Sequence, residues 1–106
     1  MNSSSDFLNI TSYKERYKLG ETVIFIVKNA GNQSLTFPDT ALGLKIKNID
    51  TAESYRLVSA QIMTELKPRE SKTIKWDQED SKAGNYTANI TSGLFSANTC
   101  FKIEIR

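Results

Sequence analysis

The chain has 106 residues, of which 39% are hydrophobic and 25% charged, and its formal net charge is +2. This length and composition predict a single folded domain, and no apolar run approaches the ~20 residues of a membrane-spanning helix. Basic and acidic residues are interspersed, so we expect no concentrated basic stripe and no nucleic acid as a partner. Because no apolar run is long enough, we also expect no membrane insertion of this domain.

The supply of reactive side chains is small, since the chain has no histidine and one cysteine, Cys100. These counts exclude an internal disulfide and the usual zinc site, and they deprive a serine or cysteine nucleophile of its most common base. A nucleophile motif such as G-x-S-x-G is also missing from the sequence. We therefore expect a non-enzymatic protein without a cofactor, with Cys100 as an inert residue on an outer strand face.

Apolar residues recur with a period near two along most of the chain, which is the spacing of β-strands and not of helices. Residues that favour turns, such as Gly, Pro and Asn, separate the apolar stretches. The predicted strands cover residues 7–13, 22–28, 34–37, 42–49, 54–58, 61–66, 71–77, 85–91 and 101–106.

The second predicted strand is apolar on both faces, as a central strand tends to be. Its residues Val23, Phe25 and Val27 are expected to fill the core. In that case Ile24 and Ile26 on the other face need cover from a neighbouring domain, a dimer partner or a sheet edge.

Two further predictions concern strand pairing and the end of the chain. Residues 34–37 are expected to form a hairpin with the second strand across a turn at 29–32, because Asn and Gly tolerate the backbone angles of tight turns. In the last strand, Phe101, Ile103 and Ile105 alternate with charged residues and are expected to face inward.

Seven to nine antiparallel strands at this spacing are typical of an immunoglobulin-like β-sandwich with Greek-key connections, and a closed barrel is the alternative. We expect residues 1–6 to be a disordered N-terminal segment and residues 7–106 to form the single domain. The Ser-rich start and the end inside an alternating pattern indicate a piece of a larger protein, whose signal peptide lies outside this sequence.

Three segments resemble immunoglobulin-like modules of bacteria and archaea. Residues 20–31 read G-E-x-V-x-F-x-V-x-N-x-G, residues 66–71 read L-K-P-R-E-S, and residues 84–88 read G-x-Y-x-A. The match spans roughly residues 13–90 and is similar to two families, the cell-adhesion-related domains of surface proteins and the bacterial intracellular proteinase inhibitors. Arg69 stands where both families prefer glycine, which leaves the turn type after Pro68 open.

The first resemblance implies a non-catalytic structural or adhesion module of a secreted or cell-surface protein. Its partners are then neighbouring domains of the same chain, or a cell-surface protein or glycan. The second resemblance implies a serine-protease inhibitor that presents an exposed loop, at residues 78–83 or 37–43. A third hypothesis, independent of the resemblance, is carbohydrate binding on a sheet face through Tyr13, Tyr17 or Tyr55.

Three aromatic residues are predicted to have structural roles. Tyr86 lies near the start of the penultimate strand and fits a tyrosine corner, in which the hydroxyl bonds back to nearby backbone. Trp76 shares its inward register with Ile74, which favours core packing over a carbohydrate-stacking surface. Phe25 belongs to the central strand.

Acidic residues cluster in one predicted loop, where Asp77, Glu79 and Asp80 are candidate calcium ligands. Calcium needs six to eight oxygen ligands, and the segment lacks the spacing and glycine of an EF-hand. A solvated loop is therefore the favoured interpretation.

The sequence also contains an excess of N-glycosylation sequons. With 8 Asn and 21 Ser or Thr in the chain, chance predicts ~1.6 such sequons. The observed ones begin at Asn2, Asn9, Asn32, Asn85 and Asn89. The alternative is coincidence, because Asn suits turns and Thr suits strands. We treat Asn9, Asn32, Asn85 and Asn89 as glycosylation candidates, which favours a cell-surface or extracellular protein over a cytoplasmic one.

Overall fold

The structure, a computed structural model, describes residues 8–57, 60–78, 81–92 and 95–105. These ranges contain strands and turns and no helix, which confirms the predicted all-β class. The strands are β1 (Leu8–Ser12), β2 (Arg16–Lys18), β3 (Val23–Asn29), β4 (Leu35–Phe37), β5 (Leu44–Asn48), β6 (Ser54–Arg56), β7 (Thr64–Leu66), β8 (Ser71–Trp76), β9 (Gly84–Ser92) and β10 (Phe95–Glu104).

Two sheets form the sandwich, one with the strand order β1-β3-β8 and the other with the order β2-β10-β9-β5-β6. A short ribbon of β4 and β7 forms a third pairing, and Phe37 and Leu66 of this ribbon are buried in the core. Apart from the ribbon, the described chain changes sheets between β1 and β2, β2 and β3, β3 and β5, β6 and β8, and β8 and β9, as in a Greek-key sandwich. The predicted sandwich is therefore confirmed.

The described strands outnumber the predicted seven to nine because β2 falls in none of the predicted ranges and is only three residues long. Such short strands leave almost no periodic pattern in the sequence. In addition, β2 pairs with β10 in the parallel direction, whereas the neighbouring pairs are antiparallel. This parallel pair arises because the chain moves to the second sheet after β1 without reversing its direction.

The core lies between the two sheets, where alternate side chains of each strand meet. The residues with no exposed surface include Val23, Phe25, Val27, Tyr86, Ala88 and Ile90. Phe101 joins the sheets, because its ring centroid lies 5.4 Å from that of Phe25 and 5.3 Å from that of Tyr86. Each large side chain buried in this way contributes about 1.5–3 kcal/mol to folding.

The isoleucines on the other face of β3 find partial cover within the domain. Ile24 and Ile26 are half-buried, and β3 lies between β1 and β8. Ile26 is paired with Thr11 on one side and Thr73 on the other, while Ile24 is opposite Lys75. Because both neighbours carry polar side chains, this sheet face is mixed and not a continuous apolar patch.

The predicted hairpin between residues 34–37 and the second strand is wrong. Strand β4 pairs with β7, with Leu35 opposite Leu66 and Phe37 opposite Thr64. Instead, the buried Asn29 side chain bonds to the carbonyl oxygens of Gln33 and Leu66, next to the first residue pair of β4 and β7.

Several predicted strand limits also need correction. The strand predicted at 42–49 begins only at Leu44, since Leu42 is buried in a turn with a φ of 57°. The strand predicted at 61–66 begins at Thr64, and Met63 is 72% exposed. Ile105 does not face inward but is 75% exposed. The reason is that β10 ends at Glu104, opposite Lys18 at the end of β2, so no neighbouring strand covers the next side chain.

The end of β3 is organised by the buried amide of Asn29. Its Nδ2 donates to the carbonyl oxygens of Gln33 at 2.7 Å and Leu66 at 2.9 Å, and its Oδ1 accepts from the Gly31 N–H at 3.0 Å. Its backbone N–H and C=O bond to Glu70 and Arg69 in the next turn. One fully buried side chain therefore joins the turn after β3 to the segment before β8.

The turn after Pro68 is now defined. The Glu70 N–H donates to the Lys67 carbonyl at 2.9 Å, and Arg69, at the third position, has a φ of 68°. A turn with proline second and positive φ third is of type II, which favours glycine at that third position. Arg69 thus adopts a strained left-handed conformation where the resembling families have glycine.

Replacing Arg69 by glycine is expected to stabilise the protein by about 0.5–1 kcal/mol, since relief of the left-handed conformation exceeds the added chain entropy of glycine. Urea unfolding followed by Trp76 fluorescence measures the change, with an unchanged m-value. The control is Lys67→Gly in the same turn, where φ is not positive, and there we expect a loss of stability. An Arg69→Gly variant less stable than the parent would contradict the turn assignment.

Candidate functional site

The aromatic residues predicted to be structural lie inside the sandwich. Trp76 is 6% exposed, and Phe25 and Tyr86 are fully buried. The Tyr86 hydroxyl donates to the carbonyl oxygen of Lys82 and accepts from its N–H at 3.2 Å. This is the geometry of a tyrosine corner, and it ties the loop before β9 to the core.

The three tyrosines considered for carbohydrate stacking do not form a common surface. Tyr17 is 2% exposed, and its hydroxyl donates to the Ile24 carbonyl at 3.2 Å. Tyr55 is half-buried against Trp76, at 5.3 Å between ring centroids, and burial together with a hydrogen bond to Tyr86 raises its pKa. Only Tyr13 of the three is largely exposed, at 67%. The prediction of a stacking face from these residues is therefore wrong.

The first of the two candidate inhibitor loops is compact. In the loop at 37–43, the Asp39 carboxylate accepts from the N–H groups of Ala41 and Gly43, both at 3.0 Å. Phe37 and Leu42 are buried in the core. An inhibitory loop must project its side chains into a protease cleft, whereas this loop directs them into its own domain.

The second candidate inhibitor loop, residues 78–83, is described in part, because residues 79 and 80 lie outside the described ranges. Gln78 is bound to the neighbouring turn, where its amide nitrogen donates to the Lys18 carbonyl at 3.2 Å. Its amide oxygen accepts from the Ser81 hydroxyl at 2.6 Å. The first bond holds Gln78 against the turn after β2, and the second ties Ser81 to Gln78 within the loop.

The calcium candidates are not gathered into a site by the described residues. Asp77 accepts a hydrogen bond from the Thr22 hydroxyl at 2.8 Å, while Glu79 and Asp80 lie outside the described ranges. Within those ranges, no group of three or more His, Cys, Asp or Glu side chains is close enough to hold a metal ion.

The glycosylation candidates differ in accessibility. Asn9, Asn32 and Asn85 are exposed, and Asn89 is half-buried. The Asn85 amide nitrogen donates to the Asp50 carboxylate at 3.4 Å. Asn89 lies in the middle of the five-stranded sheet, between Lys45 and Asn98. The first three amides are therefore more accessible to a modifying enzyme than the fourth.

The feature that sequence reasoning missed is the outer face of the five-stranded sheet, which we call the cationic face. Its exposed basic residues are Arg16, Lys18, Lys45, Lys47 and Lys102. They point outward because their strand neighbours, such as Tyr17, Ile46 and Ile103, point into the core. The expectation of no concentrated basic surface is wrong, since folding collects residues that are far apart in sequence.

The cationic face also contains Cys100, which is exposed and lies opposite Thr87. A shallow depression of ≈ 480 Å³ opens beside it and is lined in part by Arg16, Asn85 and Lys102. Glu104 is the acidic strand residue of this face, and its carboxylate lies 3.7 Å from the Arg16 guanidinium. A second ion pair, between Lys14 and Glu21, lies nearby and lowers the pKa of Glu21.

Comparisons with known proteins give a likeness among solved structures. The sequence matches no family model and no curated protein. Among solved structures, the fold is similar to the CARDB domain of a protein from Pyrococcus furiosus, crystallised in complex with di-metal ions. The two chains share 15% sequence identity, the alignment covers 93% of this chain and 92% of that chain, and the TM-score is 0.49.

The search for membrane-spanning helices was also negative. Within the described residues, no helix is long and apolar enough to cross a membrane.

Proposed function

We propose that this chain is a non-catalytic structural or adhesion module of a larger exported or cell-surface protein, and that it carries tension between the domains on either side of it. The observation that supports this proposal is the direction of β1, β2 and β10. These strands run the same way, so the described chain enters at one end of the sandwich and leaves at the other.

The two ends can be located from the pairing register. Leu8 is opposite Asn29, beside the turn that contains Pro68. Glu104 is opposite Lys18, and the turn after Lys18 is bonded to Gln78 at the far end of β8. The longest dimension of the molecule is 42 Å. Neighbouring domains attached at these ends would lie at opposite ends of the sandwich.

The parallel pair β2–β10 resists a force applied between those ends. Hydrogen bonds flank the three paired residues, from the Lys102 N–H to Glu15 and from the Leu19 N–H to Glu104, both at 2.9 Å. A force along the strands shears these bonds together, whereas a force across them breaks one at a time. The buried Tyr17 side chain anchors β2 to the core during loading.

Single-molecule force spectroscopy in two pulling directions tests this proposal. In a Cys100→Ser background, one tether pair is attached at the chain ends and the other at Leu19→Cys and the C-terminus, which peels β2 from β10. We expect a clearly higher unfolding force in the first direction. The stability of the molecule is the same in both, so equal forces would refute a load-carrying role.

Surface localisation is supported by the sequon excess, with three of the four candidate amides exposed. Glycopeptide mass spectrometry on protein purified from its native source is expected to find glycans at Asn9, Asn32 or Asn85. Unmodified peptides at all three positions would argue against export through a glycosylating pathway. Protease inhibition remains the alternative, although both candidate loops are bound to the domain.

A further inference from the structure

The cationic face has two kinds of outward side chains, cationic and hydrogen-bonding. Lys45 and Lys47 lie on β5, whereas Arg16, Lys18 and Lys102 lie on the adjacent pair β2 and β10. Strand β9 separates the two groups and presents amides and hydroxyls. Its outward residues are Asn85, Thr87, Asn89 and Thr91. Neighbouring strands are ~4.8 Å apart, so the basic groups flank a polar strip that is roughly 10 Å wide.

The cations of β5 are available for a ligand. Among the described residues, Lys45 and Lys47 have no ion-pair partner, while Arg16 is paired with Glu104. Both lysines are exposed. Their chain neighbours Leu44, Ile46 and Asn48 are buried, which fixes the outward direction of both lysine side chains.

We propose that the cationic face binds an anionic polysaccharide, with sulfate or carboxylate groups at the lysines and arginine and sugar hydroxyls at the amides of β9. Charge-assisted hydrogen bonds recognise such acidic groups. A polymer with regularly spaced charges makes several contacts at once, each worth little alone. This inference concerns binding alone and stands whether or not the module carries tension.

The chemistry of the face argues against other polyanionic or macromolecular ligands. Single-stranded nucleic acid binds through aromatic platforms, and protein interfaces bury apolar or aromatic anchors at their centre. The outward strand residues described on this face are polar or charged, apart from Cys100, and Ile49, which follows β5 and lines the same depression, is an isolated exposed apolar side chain. A hydrated polymer that exposes hydroxyls and acidic groups matches this surface better than a stacked base or an apolar patch.

The same face contains the sequon residues Asn85 and Asn89. Glycosylation of these residues and binding of a polysaccharide to the face are therefore mutually exclusive. A glycan on Asn89 would cover the strip beside Lys45, since its strand partners are Lys45 and Asn98, and a glycan on Asn85 would cover the strip beside Lys102, its partner on β10. We therefore expect Asn85 and Asn89 both to be unmodified in the form of the protein that binds polysaccharide.

The test compares two double variants that each remove two positive charges. Lys45→Gln/Lys47→Gln changes the cationic face, and Lys28→Gln/Lys75→Gln changes exposed lysines on the outer face of the three-stranded sheet. Binding to heparin, alginate and neutral dextran is measured by calorimetry at about 0.1 M salt, where the Debye length is about 10 Å. Heparin and alginate separate sulfate from carboxylate recognition, and duplex and single-stranded DNA are included as competitors.

We expect binding to at least one anionic polysaccharide and none to dextran, with affinity falling as salt rises. The Lys45→Gln/Lys47→Gln variant is expected to lose about tenfold in affinity and the control less than twofold. Absence of binding to both acidic polymers overturns the proposal. So does an equal loss in both variants, or tighter binding of DNA than of either polysaccharide.

Discussion

Replacing Asn29 with alanine is expected to destabilise the protein by about 2–4 kcal/mol, which makes this one of its most sensitive positions. The substitution removes three side-chain hydrogen bonds at once. It also leaves the carbonyl oxygen of Leu66 without a hydrogen-bond donor, although Leu66 is only 2% exposed. Urea unfolding followed by Trp76 fluorescence gives the free-energy change directly.

An Asn29→Asp variant separates hydrogen-bond polarity from packing, because aspartate has the same shape. The carboxylate keeps the acceptor for Gly31 but faces the carbonyl oxygens of Gln33 and Leu66, to which the amide donates. Burial and these oxygens raise the pKa of the new carboxyl in the folded state above its unfolded value of about 3.9. The destabilisation is therefore smallest well below pH 4, where the protonated carboxyl still lacks one of the two donors, and it grows as pH rises through that value.

The matched control is Asn32, which lies in the same turn and is exposed. Both Asn32→Ala and Asn32→Asp are expected to change stability by less than about 0.5 kcal/mol. If Asn29→Ala were equally mild, the buried hydrogen bonds could not be what joins the turn after β3 to the segment before β8.

Much of the fold follows from alternation along single strands. Tyr86, Ala88 and Ile90 face the core because a strand turns alternate side chains to opposite faces, whatever its partners are. For the same reason Ile74 is buried and Thr73 exposed. Such predictions need only local spacing, and the structure agrees with them.

Pairing and short strands are less visible in sequence. The β4–β7 pair depends on hydrogen bonds from Asn29 to residues up to 37 positions away in the chain. Tyr17 lies outside the predicted strands because β2 has one apolar residue and therefore no period, and Gly20 is a strong turn signal. Its burial arises only when β2 pairs with β10.

The cationic face likewise combines a feature that local alternation predicts with one that depends on strand pairing. The local pattern L-K-I-K-N over residues 44–48 predicts that Lys45 and Lys47 point to one side of their strand. That Lys102 and Arg16 share this side depends on the order of five strands in one sheet, which local patterns do not contain. Average charge along the chain therefore underestimates the charge of this face.

Trp76 gives the second large effect, and it separates core packing from a sugar-stacking role. Its ring centroid lies 5.3 Å from Tyr55, 5.9 Å from Tyr86 and 6.5 Å from Phe101, and the residue is 6% exposed. Trp76→Ala is expected to cost about 3–5 kcal/mol, because it removes a large apolar surface and leaves a cavity between the sheets. Circular dichroism during urea unfolding measures the loss, since the only tryptophan is removed.

The control is Tyr13→Ala, which removes the most exposed of the aromatic side chains considered for stacking, at 67% exposure. Its stability is expected to stay within about 0.5 kcal/mol of the parent. A Trp76→Phe variant retains part of the ring contacts and is expected to fall between the two. If Trp76 were instead a sugar-stacking residue on the surface, Trp76→Ala would leave the stability unchanged and reduce the affinity for neutral sugars. Because the Trp76 ring is packed against three other aromatic rings, we expect its removal to lower the free energy of unfolding.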